Sequence, residues 1–249
     1  MHICGPKQSR FMRSEIIYED CYGLRHFYPG FFRSVLDIGA NVGYFSLMCR
    51  FLFPKARVVA IEPQEAVFSA LSKNAIFLDV EPVHAALSDG NPVFFIPRHQ
   101  GTWGARYDTD GGGDKVEGAT LGQLVARLNL DPDTMFLKVD CEGAERHLMD
   151  EAASESVLRL VAAGAMEVHA LPDNVPIQQF KAWLDGLLGS SHDVYWGEIR
   201  TDRQGRERLT HVKFVRRDVP RMNELTPPPT KVSGRPPKSA VVQGGLNNG

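Results

Sequence analysis

The 249-residue sequence has no excess of charge: 28 Lys and Arg face 30 Asp and Glu, a net of -2. That balance argues against the positive field on which general nucleic-acid and anionic-membrane binders rely. Cysteine is scarce. Cys4, Cys21, Cys49 and Cys141 are scattered without the paired spacing of a zinc site, and Cys49 and Cys141 lie in apolar stretches that suit reduced, buried thiols. No apolar run approaches the roughly 20 residues that cross a bilayer, and the opening MHICGPKQSR has no apolar centre of signal-peptide type. The expectation is a cytoplasmic protein that binds neither nucleic acid nor membrane. Two nucleotide signatures are missing as well, since neither G-x-G-x-x-G nor a Walker loop occurs.

What is present suits one well-buried domain, with 43% apolar and 23% charged residues. Residues 1–33 lack a clean period and read as an N-terminal cap. From Ser34 short β-rich runs alternate with helical ones, the pattern of βαβ units and a parallel sheet. Strands are expected at 34–38, 57–62, 80–87, 92–97, 135–140 and 163–170, and helices at 42–53, 64–78, 120–130, 143–152 and 175–188. HDVYWGEI and RLTHVKFVR close the domain, which spans 34–218, as an antiparallel pair. The Gly- and Asp-rich stretch 99–118 reads as a long loop. Residues 219–249 hold six prolines, four glycines and few large apolar side chains, so a disordered tail is expected there.

Ligands of open parallel sheets bind beyond the carboxyl ends of the strands. Asp37, Glu62, Asp140 and His169 end four of the expected strands. The run Asp37-Ile-Gly39-Ala40-Asn41-Val-Gly43 carries the most information. Gly39 lets the backbone turn and a ligand approach, and Gly43 permits close packing where a helix begins. A carboxylate at Asp37 repels pyrophosphate and favours the ammonium and sulfonium of S-adenosylmethionine. The plainer alternative is a simple strand-to-helix turn. Glu62, 23 positions after Gly39, can accept both ribose hydroxyls of an adenosine, whether of this cofactor or of NAD; otherwise it is a solvated carboxylate before Pro63. In the turn that follows, Ser88 or Asp89 would meet the adenine amine, unless Asp89-Gly90 is only a turn.

VLDIGANVGYFS, IEP, AALSDG, TLGQL and LKVDCEGAE, in this order and spacing, resemble the FkbM family of S-adenosylmethionine-dependent methyltransferases over residues 34–170. LKVDCEGAE is the most specific part. Gly122, where the family often has Asp, and Cys141, where it has Val or Ile, depart from the pattern. The resemblance implies a Rossmann-like class I fold, a mostly parallel seven-stranded sheet flanked by helices, and O-methylation of a hydroxyl on a sugar or natural product.

Methyl transfer to a hydroxyl needs alignment and a route for the proton. Asp140 and Glu142 flank Cys141 at one strand end. His169 ends the next expected strand, with Glu167 two positions earlier on the same face, an arrangement suited to a general base. The alternatives are that Glu142 and Glu145 favour a helix start, that Asp140 is scaffold and that His169 is structural. A further alternative makes Asp140, Glu142 and His169 a divalent-metal site. Trp103 and Arg106, in the long loop, fall where an acceptor-binding lid would lie, although Trp103 can equally anchor the loop. An O-methyltransferase acting on a small molecule or glycan is the expectation, against an N-methyltransferase or a catalytically silent cofactor-binding module.

Overall fold

A computed structural model describes residues 3–4, 12–96, 106–108, 114–170 and 176–223. The strands are β1 (Ser34–Ile38), β2 (Arg57–Ile61), β3 (Glu81–Val83), β4 (Ala86–Leu87), β5 (Val93–Ile96), β6 (Arg106–Asp108) and β7 (Asp114–Val116), followed by β8 (Gly118–Ala119), β9 (Met135–Val139), β10 (Ala163–His169), β11 (His192–Trp196), β12 (Arg200–Thr201) and β13 (Glu207–Arg216). The α-helices are α1 (Tyr44–Leu52), α2 (Glu65–Leu78), α3 (Leu121–Arg127), α4 (Ala152–Leu160) and α5 (Ile177–Leu188).

The main sheet runs β3-β2-β1-β9-β10-β13-β11, with β12 paired beside β13. Pairs from β3 to β10 are parallel, and β13 is antiparallel to both β10 and β11. This is the expected mostly parallel seven-stranded Rossmann-like sheet, flanked by helices. Its order reverses between β1 and β9, which opens a crevice at the carboxyl ends of those strands.

Both faces of the sheet are covered, so its central strands are largely apolar rather than strictly alternating. Side chains of one strand still point to opposite faces. Val35, Val58, Ala60, Phe136 and Ala165 join a core with α1, α2 and the N-terminal residues Ile16, Tyr22, Leu24, Phe27 and Phe32. Leu36, Val59, Ile61, Leu137 and Met166 join the opposite core with α3, α4 and α5. The first of these faces also carries Asp37, Lys138, Glu167 and His169, by the same alternation. The N-terminal segment therefore lies over a row of charged side chains, and Tyr22 donates from its hydroxyl to Asp140 Oδ2 at 3.1 Å.

Four expectations change. The stretch 80–87 divides: β3 stays in the main sheet, while β4 pairs with β8 in a separate two-stranded sheet. β5 leaves the main sheet to pair with β6 and β7, both drawn from the stretch expected to be loop. The helix expected at 143–152 is a 3-10 turn over Ala144–Met149, and α4 follows it. Glu142 and Gly143 both have positive φ (55° and 108°), which turns the chain before any α-helical ladder can start there. Residues 219–223 pack on the domain: Val219 is 3% exposed, and Phe27 bridges to Arg221. The rest of the Pro- and Gly-rich tail lies outside the described residues.

Candidate active site

The glycine turn sits at the sheet's point of reversal. Gly39 has φ +77°, and a Cβ there would stand 1.7 Å from the Asp140 carbonyl oxygen, so only glycine fits between β1 and the end of β9. Gly39 and Ala40 both donate to the Ile61 carbonyl, and Asn41 adopts the left-handed region at φ 52°. Gly43 opens α1 at φ +95° against Leu71, the close packing expected of it.

Glu62, 7% exposed, ties this turn to the end of β2. Its Oε2 accepts from Asn41 N and its Oε1 from Gln64 N, each at 2.9 Å. Burial lifts its carboxyl to about 7, although the two backbone donors work in the other direction. A carboxylate offers about four acceptor sites, so two remain for a ligand diol.

Asp37, expected to favour an ammonium or sulfonium, is wholly enclosed by protein. It is 0% exposed beneath the turn, where Ser46 Oγ donates to Oδ2 at 2.7 Å and Lys138 Nζ stands 3.1 Å from Oδ1. Lys138 also donates to the Gly39 carbonyl at 2.7 Å and lies 3.8 Å from Asp140 Oδ2. Burial disfavours its charge, but Asp37 and Asp140 outweigh that and raise its pKa. Asp37 and Lys138 are register partners on β1 and β9, so one buried cation braces the turn from below. Lys138 is marked in the sequence only as a lone lysine inside the apolar run MFLKV.

At the ends of β9 and β10 the structure gathers Asp140, Glu142, Glu145, Glu167 and His169. His169 Nδ1 lies 3.0 Å from Oε1 of Glu145, which also accepts from Cys141 N. His169 Nε2 lies 3.3 Å from Glu167 Oε1 and 3.7 Å from Glu142 Oε2. Glu167 Oε2 is held in turn by His211 Nε2 at 2.9 Å. Burial alone would lower the imidazole pKa, yet Glu145 first and Glu167 after it push it up to about 12. Carboxylates at both nitrogens favour the charged ring, so His169, expected as a general base, has to give up a proton before it can take one from a substrate. Glu167 is held below its ordinary value because hydrogen bonds from His169 and His211 outweigh its burial. Burial raises Asp140, with Glu167 adding to it, and lifts Glu142 to about 7. Glu142, with 40% of its side chain exposed, is the most open member of the group.

Ser88 and Asp89 serve their own turn. Ser88 Oγ donates to the Asn91 carbonyl and accepts from Gly90 N, while the Asp89 carboxylate accepts from Asn91 N and Nδ2. The expected hydrogen bond to adenine is not what holds either side chain. Trp103 and the side chain of Arg106 lie outside the described residues; the backbone of Arg106 begins β6.

The Methyltransferase FkbM domain profile matches residues 37–195, more than half of the chain. The chain belongs to the FkbM family of S-adenosylmethionine-dependent methyltransferases. Among curated relatives of this FkbM chain, Methyltransferase sdnD of Sordaria araneosa is 32% identical over 101 residues, 38% of each chain. The 31-O-demethyl-FK506 methyltransferase FkbM of Streptomyces tacrolimicus is 39% identical over 72 residues, 28% of this chain and 26% of that one. The matches thus span little more than a third of those relatives at most. Among solved structures, the plantazolicin methyltransferase BamL in complex with SAH aligns at TM-score 0.47 and 9% identity, covering 85% of this chain and 91% of that one. The METTL16 methyltransferase domain aligns at TM-score 0.49 and 12% identity, covering 85% and 70%. The residues of the FkbM chain fit its cofactor: Glu62 keeps acceptor capacity beside the glycine turn, and no side chain branches from Gly39.

Proposed function

We propose that this chain transfers the methyl group of S-adenosylmethionine to a hydroxyl oxygen of a small molecule or glycan. The observation that carries the reading is the carboxylate group at the ends of β9 and β10, next to the glycine turn. Bound at that turn, the cofactor supplies an electrophilic methyl carbon. In this reading Gly39, Ala40, Asn41 and Gly43 form the cofactor's cradle and Glu62 accepts its ribose hydroxyls. Asp140 lies between cofactor and acceptor, braced by Tyr22 and Lys138. Glu142, the most open carboxylate, accepts the hydroxyl proton, and His169 positions it. Trp103 and Arg106 belong to the acceptor side. A cytoplasmic setting goes with this reading, supported by four cysteines that are all free. No helix among the described residues is long and apolar enough to cross a membrane.

The test is incubation with labelled S-adenosylmethionine and separate panels of hydroxylated metabolites, glycans, amines and RNA, with mass-spectrometric location of the methyl group. O-methylation of a metabolite or glycan, lost in Glu142→Gln, supports the reading. Methylation of nitrogen or of RNA overturns the acceptor assignment. Cofactor binding without transfer to any acceptor marks a silent module.

A further inference from the structure

We propose that Asp140, Glu167 and His169 bind a first-row divalent metal cation. One ligand atom from each lies within 4.8 Å of the others. Each is also held by a neighbouring side chain. His169 Nδ1 is taken by Glu145, which leaves Nε2 toward the carboxylates. Glu167 Oε2 is taken by His211, which leaves Oε1 toward His169. Asp140 is held by Tyr22. A histidine whose second nitrogen meets a buried carboxylate is the usual support of a metal-bound imidazole, because it fixes both tautomer and ring direction.

A second observation comes from Glu145. It is 1% exposed, and its Oε2 is buried with no hydrogen-bond partner. A buried carboxylate oxygen in that condition is costly beside three further carboxylates. Lys138 does not relieve it, since its charge is shared with Asp37. A dication among the three ligand atoms places positive charge beside four carboxylates that otherwise gather around one histidine. Two carboxylate oxygens with one imidazole nitrogen suit Mn2+, Fe2+ or Zn2+ better than the all-oxygen sets typical of Ca2+. Three protein ligands leave positions for water or an acceptor oxygen.

The site shares Asp140 and His169 with the acceptor assignment, and with the ion bound Nε2 turns to the metal in place of Glu142; binding is read without turnover, so the two readings fail separately. Mn2+ titrated into the full chain should show one bound ion by electron paramagnetic resonance. Glu167→Gln and Asp140→Asn should each weaken that binding at least tenfold, while Asp89→Asn leaves it unchanged. The unmodified protein gives a readout that does not depend on variants folding. In histidine-labelled chain, Mn2+ should broaden the His169 and His211 resonances and spare His192, which is bound to the Val161 carbonyl on another part of the sheet. Absence of bound Mn2+, broadening of other histidines in place of His169, or binding indifferent to Glu167→Gln overturns the site.

Discussion

Glu62 does two jobs that pull against each other. Burial holds its carboxyl near neutrality, while the hydrogen bonds it offers a ribose diol are strongest in the ionised form. Its pKa in the folded chain is raised from 4.5 to about 7, so its contribution to stability is fully present below the unfolded value and is lost as pH rises through about 7. Affinity for S-adenosylhomocysteine should move the other way and increase between about pH 6 and 8, as the carboxylate forms. Calorimetry across that range should give a slope in the native chain and none in Glu62→Ala. The same variant should weaken binding at high pH by about 1.5–3 kcal/mol. Its melting temperature should fall too, because Asn41 N and Gln64 N lose their acceptor. A flat native profile would return Glu62 to a purely structural part.

Among the elements, β1 and β9 meet side by side at the point of reversal, and the Asp37–Lys138 pair is the cross-strand contact that fixes their ends. Removing one member leaves the other charged and buried, which costs about 3–5 kcal/mol. Lys138→Met should therefore lower unfolding free energy by about that amount in denaturant titration, and adding Asp37→Asn should recover part of the loss. An additive double variant would show that the two side chains do not interact. This pair also marks how far the sequence could be read. The strands and helices from β1 to β3, and β9, β10, α5, β11 and β13 after them, were legible because apolar runs and periodicity set them locally; the 3-10 turn and α4 were not, because the backbone turn at Glu142 and Gly143 leaves no such signal. The gathering of Glu62, Asp140 and His169 around the crevice was legible because an open parallel sheet brings these strand ends together there. The surroundings of Asp37 and His169 were not, since each takes a partner distant in sequence: Lys138 from β9 for one, Glu145 from the 3-10 turn for the other. The division of 80–87 and the departure of β5 were hidden for a similar reason, as β4 and β5 find their partners in β6, β7 and β8, from a stretch with weak local preference.

The whole molecule closes through its two flanks. Residues 12–33 pack over the charged row, and residues 219–223 return to them: Met222 N donates to the His26 carbonyl, and Arg221 reaches Asp193 and Tyr195. The proposed tail thus begins after this contact. Ending the chain at Asn223 should leave melting temperature and S-adenosylhomocysteine affinity as they are, since the composition beyond it cannot build a core. Ending it at Asp218 should cost about 1.5–3 kcal/mol, from exposure of the apolar surface that Val219 covers. Thermal melts of the two truncations separate these outcomes, and an equal loss in both would place part of the tail on the domain.

The place of β13 between β10 and β11 has a consequence for biosynthesis. Among the described strands of the sheet it is the last to leave the ribosome, yet it occupies an interior position. Until it emerges, β10 and β11 each present an open row of backbone donors and acceptors to whatever lies nearby. His211, which β13 brings to Glu167, arrives with it. A nascent chain can therefore assemble the glycine turn well before it completes the carboxylate group, and the interval between the two is when a chaperone would have most to protect.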